Sequence, residues 1–560
     1  MTEFPKANYF DWRKLVEGEL KGASFDERML TPTAEGITLR PLYLRDDLAT
    51  LSHVNSLPGF APFVRGVNAA PKPWDISQEI NCSSPREFNH QGRNSLAAGL
   101  NALNMVLDKA TRNGEDPDRA RPEEVGSGGL SIATLGDLER ALEGVDLKKT
   151  SLFVRSGASG MPFAALLIAL MSRRKQQPSH LRGCIEMDPL GVLAHEGVLP
   201  QSLQCAYREM ESLTRWAADH APSLQTICVH SRCWHEAGGN AVQELAFTLA
   251  TAVEYLREMH KRDLDANTVA PRIRFAVTVG TTFFLEIAKL RALRMLWARA
   301  VAALEGNEDA QRLRLHIRTS LWNKTTRDPH NNILRATVEA FAAAVGGCDS
   351  MQVGAFDEVV RPPDDFSRRL ARNTQLILQK ECHISRVMDP AGGSWYVETL
   401  TCEFANRAWA LFQEVEKRGG MAAALRAEFP QKAVAATAAE KIKAVNERRA
   451  IVVGVNKYTN SQETPLATGV TDALLFYRRR AQQVGSHRTS LEDADNETVL
   501  KELSNIVNTR GAGLFATGVE AVKTGATLGE IVRAIRIHDR PCAPIVPVCL
   551  TRGAASFEKQ

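Results

Sequence analysis

Cys228, His230, Cys233 and His235 spell C-x-H-x-x-C-x-H, and every member is a ligand type that zinc accepts. The spacing matches no common zinc pattern, and Cys228 and His230 alternate along an extended run. The plain reading is inward-facing core residues with no resident metal. A second cluster is cationic. Arg272, Arg274, Arg314, His316 and Arg318 come from two stretches, RIRFAVTV and LRLHIRT, and Glu186 and Asp188 end a third, GCIEMD. If these side chains share an interior they must pair, because a buried charge without a partner is costly. An internal ion-pair network is therefore expected. Asp365, Arg368, Arg369 and Arg372 lie one turn apart and read as a salt-bridged helix. The Gly-rich run Gly126–Leu130 precedes a helical pattern, a weak phosphate-loop signal whose default reading is a plain loop.

The elements that hold these residues follow from periodicity. In Arg272–Val279 the apolar Ile273, Phe275, Val277 and Val279 share one face, and Arg272, Arg274, Ala276 and Thr278 share the other. Leu313, Leu315 and Ile317 oppose Arg314, His316 and Arg318 in the same way. Comparable runs recur at Trp74–Ile80, Leu103–Leu107, Leu152–Ser156, Gly183–Met187, Thr226–His230 and Met351–Ala355, with helical patterns between them. Eight strands alternating with helices predict an α/β fold, a (β/α)8 TIM barrel. Its helices cover the apolar strand faces, which turns the arginines and the histidine inward, where such barrels normally hold branched aliphatics. The expected domains are an arm over 1–60 for subunit contact, the barrel over 61–400, and a mainly helical extension with a linker over 401–560. In the extension IVVGVNKY reads as a strand.

Bulk composition narrows the function. The 560 residues carry a net charge of +4, 44% apolar residues and 24% charged ones. So small a charge gives no case for nucleic acid or an anionic lipid surface. No run approaches the roughly 18–20 apolar residues of a membrane span. The ten cysteines form no C-x-x-C pair, which suits reduced thiols and a cytoplasmic location.

Longer words carry a family resemblance. FFLEIAKLRALRMLWA, DPHNNILRATVEAFAAAVGG, FDEVVRPPDDFSRRLARNTQLILQKE and DPAGGSWYVETLT resemble the adenosylcobalamin-dependent acyl-CoA mutases, methylmalonyl-CoA mutase above all. Weaker similarity runs back through HEAGGNAVQELAFTLATAVEYLRE to Gly66. The resemblance implies a barrel that threads coenzyme A along its axis. It also implies a separate flavodoxin-like domain that brings cobalamin to the C-terminal mouth, where a radical rearranges the acyl skeleton. By position it implies that Glu236 and Glu358 approach the cofactor and that Arg272 and His316 contact coenzyme A. Arg208 aligns with the arginine that holds the substrate carboxylate.

Two departures change the expectation. The Asp-x-His-x-x-Gly loop that ligates cobalt is missing from the sequence, so a cobalamin-binding domain is not expected in this chain. The Tyr-His pair of catalytic members is Arg232-Cys233 here, and Cys233 is a poor donor to a thioester carbonyl. The tyrosine loop is shortened to Val67–Pro73, and a glutamine is replaced by Arg318. The pattern resembles the small, non-catalytic subunit of heterodimeric mutases. The implied partners are a catalytic mutase subunit or a separate cobalamin-binding protein, in a hetero-oligomer. The implied reaction is the interconversion of (R)-methylmalonyl-CoA and succinyl-CoA. The alternative is a catalytic large subunit acting on isobutyryl-CoA or another acyl-CoA, with cobalamin on another protein. The bore is expected to be too filled for a pantetheine chain.

Overall fold

The computed structural model describes residues 8–460, 462–464, 466–467, 473–490, 493–506 and 513–559. Eight parallel strands close into one barrel. They are β1 (Asp75–Ile80), β2 (Ala102–Val106), β3 (Ser151–Arg155), β4 (Gly183–Met187), β5 (Leu224–His230), β6 (Ile273–Val279), β7 (Leu315–Thr319) and β8 (Ser350–Gln352). Seven coincide with the alternating runs to within a residue or two, and β8 stops three residues before its expected end at Ala355. β8 closes the ring, pairing Met351 with Ile76 on one side and Ile317 on the other. A register shift between Cys184 and Met187 offsets β4 against β5.

The covering helices are α1 (Pro85–Ala97), α2 (Leu135–Ala141), α3 (Gly160–Arg173), α4 (Leu203–His220), α5 (Ala241–His260), α6 (Phe283–Ala302), α7 (Asn331–Gly346) and α8 (Asp365–Lys380). Their starts are chemically marked. Ser84 accepts the Glu87 amide ahead of Pro85 at the first helical position, and Asn240 forms a capping box with Gln243. The main core fills the annulus between strands and helices, as where Phe275 packs edge-on to Trp297 with ring centroids 4.9 Å apart. The apolar part of the bore is a small plug of Ala102, Phe153, Cys184, Cys228 and Ala276. The predicted inside and outside of the barrel are therefore correct.

The extension is helical. It comprises α9 (Trp395–Lys417), α10 (Met421–Arg426), α11 (Phe429–Asn446), α12 (Ala473–Thr489), α13 (Asp493–Ile506), α14 (Leu514–Lys523) and α15 (Leu528–Ile535). Helix α9 runs across residue 400 and packs on α5 and α6, so barrel and extension share an element. The expected strand IVVGVNKY is instead a turn with one isolated Val453–Lys457 bridge. Its backbone groups go elsewhere. Asn456 accepts the Val452 amide and donates to the Val445 and Ala450 carbonyls, and Gly454 has φ +81°. A local side chain has replaced a ladder. The expected linker over 459–468 falls partly outside the described residues.

A buried polar knot joins four segments. Arg291 on α6 donates to Glu398 on α9 through both terminal nitrogens, at 2.9 and 3.0 Å, and to Asp389 at 3.0 Å. His53 of the arm lies 2.9 Å from the second Glu398 oxygen, and the Gly393 amide donates to the first. The arm beyond Thr31 thus lies on the barrel, whereas its first helix, Tyr9–Glu19, buries no residue. On the outer surface Phe284 of α6, Leu334, Val338 and Phe341 of α7, and Trp395 of α9 are exposed. Phe283 bridges Phe284 and Phe341, with ring centroids 5.2 and 5.1 Å away, and Tyr396 lies 5.5 Å from Phe284. Among the described residues no helix is long and apolar enough to cross a membrane.

Candidate functional site

The C-terminal ends of the strands surround a cavity of about 650 Å³. Its floor is a network of charges from alternate strands. Arg318 on β7 donates to Glu358 at 2.8 Å and to Glu79 of β1 at 3.3 Å, and Arg155 on β3 donates to the other Glu79 oxygen at 2.7 Å. Burial alone would raise Glu79, but Arg318, Arg155 and Arg232 outweigh it and hold the carboxyl far below its ordinary range. Arg318 loses hydration too, yet Glu358, Glu79 and Glu236 keep it firmly charged. Glu358 has the opposite balance: burial dominates over Arg318, and its carboxyl is raised.

The expected ion-pair network exists, with Arg318 and Glu186 in it but with different partners. Arg314 precedes β7, where its charge helps depress Arg272 at the N-terminal end. Glu186 pairs with His230 at 3.1 Å, and that partner outweighs burial to bring the carboxyl down to about 2. Asp188 accepts the amides of His230 and Gly191 and the Tyr255 hydroxyl. The acids that meet the arginine of β7 are Glu79 and Glu358.

Below this floor the axis narrows to a cavity of about 20 Å³, room for roughly one water. Arg274 lays its guanidinium 3.4 Å from the Phe153 ring centroid and donates to Ser350, a cation–π contact across the bore. His316 sits beside it, 2.9 Å from Ser350 Oγ. Burial, then Arg274, push this imidazole well below its ordinary range, so it is neutral. A third space of about 90 Å³ lies at the other end, near Trp74, Arg294 and Asp349.

The sequence candidates are distributed as follows. Cys233 and Glu358 line the mouth cavity. Glu236 is buried beside it, where one oxygen accepts the Leu321 amide and the other has no partner. His316 lies in the narrow bore. Arg272 is at the opposite end, where it donates to the Pro222 carbonyl. Arg208 rides on α4, the outer layer, and does not line the mouth cavity. The C-x-H-x-x-C-x-H quartet does not converge: His235 is held between Glu244 and Ser320, at 3.1 and 3.0 Å. Sequence reasoning missed Glu79 and Arg155, although alternation in DISQEI and SLFVR places both on inward faces. Arg232 was noted only as a substitution. It lines the mouth, its side chain makes no hydrogen bond or ion pair among the described residues, and it is depressed to about 10 by burial, Arg155 and Arg318.

Burial, then Asp188, push the Cys233 thiol far up, which leaves it protonated and weakly reactive. Native alkylation is expected to modify the exposed Cys382 and Cys549 first and to spare Cys233 until the chain unfolds. Peptide mass mapping checks this, and early labelling of Cys233 would reveal thiolate character.

Known proteins resemble the chain along most of its length. A family model described as methylmalonyl-CoA mutase matches residues 32–540. A methylmalonyl-CoA mutase of Cereibacter sphaeroides is 35% identical over 550 residues, which cover 97% of this chain and 77% of that one. The Escherichia coli mutase is 33% identical over 546 residues, 96% of this chain and 76% of its own. A methylmalonyl-CoA mutase large subunit of Porphyromonas gingivalis is 33% identical over 518 residues, 92% and 72% of the two chains.

Proposed function

Since the chain belongs to the methylmalonyl-CoA mutase family, we propose that it is the small, non-catalytic subunit of an adenosylcobalamin-dependent acyl-CoA mutase. In this reading it supports a catalytic barrel subunit that interconverts (R)-methylmalonyl-CoA and succinyl-CoA in the cytoplasm. The observation that carries the reading is the closed bore. Arg318 clamped between Glu79 and Glu358, and Arg274 stacked on Phe153, occupy the axis along which a pantetheine arm would have to extend. The exposed aromatic and aliphatic patch on α6, α7 and α9 supports the partner. Monomers rarely leave contiguous apolar surface uncovered.

Adenosylcobalamin, held by the partner or another domain, supplies the radical that starts the rearrangement. This chain retains two acceptors suited to its adenosyl hydroxyls. Glu358 and Glu236 each keep one carboxylate oxygen without a hydrogen-bond partner. In the support reading they are remnants of a family site. Arg272 and His316 are likewise remnants of coenzyme A contacts, with His316 beside the plug residue Phe153.

A second reading is a catalytic large subunit with cobalamin on a separate protein. The mouth cavity of about 650 Å³ and the unpaired Arg232 at its edge favour it. The two readings part in one assay. The purified chain is mixed with adenosylcobalamin, a cobalamin-domain protein and either methylmalonyl-CoA or isobutyryl-CoA. The chain alone is expected to give no turnover, and added large mutase subunit to restore it. Turnover without a second barrel would overturn the support reading and establish the catalytic one.

A further inference from the structure

Cys228 and His230 are alternate residues of β5 and both face the barrel interior. Glu186 reaches the same point from β4. The thiol sulfur, an imidazole nitrogen and a carboxylate oxygen lie within 4.8 Å of one another. Glu186 and His230 form an ion pair, and the fully buried Cys228 thiol meets the same imidazole. Thiolate, imidazole and carboxylate form a donor set for a borderline divalent cation such as zinc. Metal bonds of about 2.0–2.3 Å put tetrahedral ligands roughly 3.3–3.8 Å apart, within a small side-chain adjustment of this arrangement.

Charge and access agree with a metal. A divalent cation with one thiolate, one carboxylate and one neutral imidazole is a neutral unit, which a buried position favours. The nearby cations are already engaged: Arg155 is tied to Glu79, and Arg274 to Ser350 and Phe153. Glu186 and His230 both line the mouth cavity, so a fourth position would open onto it. Three protein ligands plus one open position is the arrangement of reactive rather than structural zinc.

We propose that Cys228, His230 and Glu186 hold a zinc-class divalent cation at the floor of the mouth, its fourth position open to water or an anionic oxygen. This site does not depend on the subunit reading above. The test uses the full chain, kept reduced, titrated with cobalt(II) as a spectroscopic stand-in. One equivalent is expected to bind with a thiolate-to-metal charge-transfer band that zinc abolishes by displacement. Cys228→Ser should lose the band. His230→Gln and Glu186→Gln should each weaken binding by more than the roughly 10–100-fold that loss of an outer-shell partner costs. The double variant Cys382→Ser/Cys549→Ser, which removes the exposed thiols, should keep it. X-ray absorption of the zinc-loaded natural chain should read one sulfur among nitrogen and oxygen neighbours, and this arm needs no variant to fold. A sulfur-free shell, the absence of a charge-transfer band, or a band that survives Cys228→Ser would each overturn the site.

Discussion

Replacing Glu398 by Ala is expected to cost about 3–5 kcal/mol of stability, the range for breaking a buried ion pair from one side. The carboxylate meets both terminal nitrogens of Arg291, the Gly393 amide and the His53 ring, with Arg65 3.9 Å away. Arg291 and Glu398 are both fully buried. Removing the acid leaves the guanidinium to Asp389 and Thr401, with no water to make up the difference. Denaturant unfolding measures the effect, and Glu398→Gln separates charge from shape by keeping the acceptor oxygen. A loss below about 1 kcal/mol would place the knot with ordinary surface pairs. The same residue sets an acid limit. Burial opposes ionisation, but His53 and Arg291 bring Glu398 down from its ordinary 4.5 to about 2. A carboxyl depressed by folding contributes fully above pH 4.5, and the contribution fades as pH falls toward 2. Over that window it amounts to about 3 kcal/mol. The natural chain should therefore lose stability more steeply than Glu398→Ala between pH 4.5 and 2.

Gly183→Ala is expected to be as severe. Gly183 opens β4 with φ +120°, and a Cβ there would stand 1.9 Å from the Leu152 carbonyl oxygen and 2.7 Å from its amide nitrogen. Both are backbone atoms of the adjacent strand, so relief requires parting β3 from β4. The residue also pairs with Leu224 on β5, which fixes it from both sides. We expect a loss of about 3 kcal/mol or more, adding backbone strain to overpacking. Gly128→Ala supplies the comparison. Gly128 has φ +66° and nothing within 4 Å of an added Cβ, so only the left-handed conformation is penalised, by about 1–2 kcal/mol. Equal yields and midpoints for the two variants would show that the β3–β4 contact yields more easily than backbone atoms should.

The barrel was legible because its signal is local. Ile273, Phe275, Val277 and Val279 against Arg274, Ala276 and Thr278 give both the strand and its inner face from seven consecutive residues. The pairing of Arg318 with Glu79 spans 239 positions, and no local pattern announces it. The reading therefore supplied the arginine with acids from GCIEMD, when its partners stand on β1 and after β8. Helix α12 is hard to read for another reason. Its AlaLeuLeuPheTyrArgArgArg start carries no clear stripe, and it buries only Arg480 and Val484. Arg480 reaches Asp137 at 2.8 Å, Arg488 pairs with Asp116, Asp118 and Glu530, and Phe476 and Tyr477 pack on Ala110, Ala120 and Val125, so two arginines and two rings, not a continuous apolar stripe, dock it. IVVGVNKY misled because β-branched residues have strand propensity wherever they occur, while Asn456 had already claimed the backbone. The site is partly legible. Cys233 and Glu358 meet at one cavity, whereas Arg208, Arg272 and His316 lie on the outer layer, at the far end and in the bore.

The ring is sealed by its shortest stave. β8 contributes three residues, and its contact with β1, where Ser77 donates to the Met351 carbonyl, joins positions 274 apart. During synthesis the cylinder therefore cannot be completed until residue 352 has left the ribosome. Until then the first seven staves form an open curved sheet with two bare edges, a template for wrong partners. Closure of the ring is therefore a late step, reached only after more than half of the chain has been made.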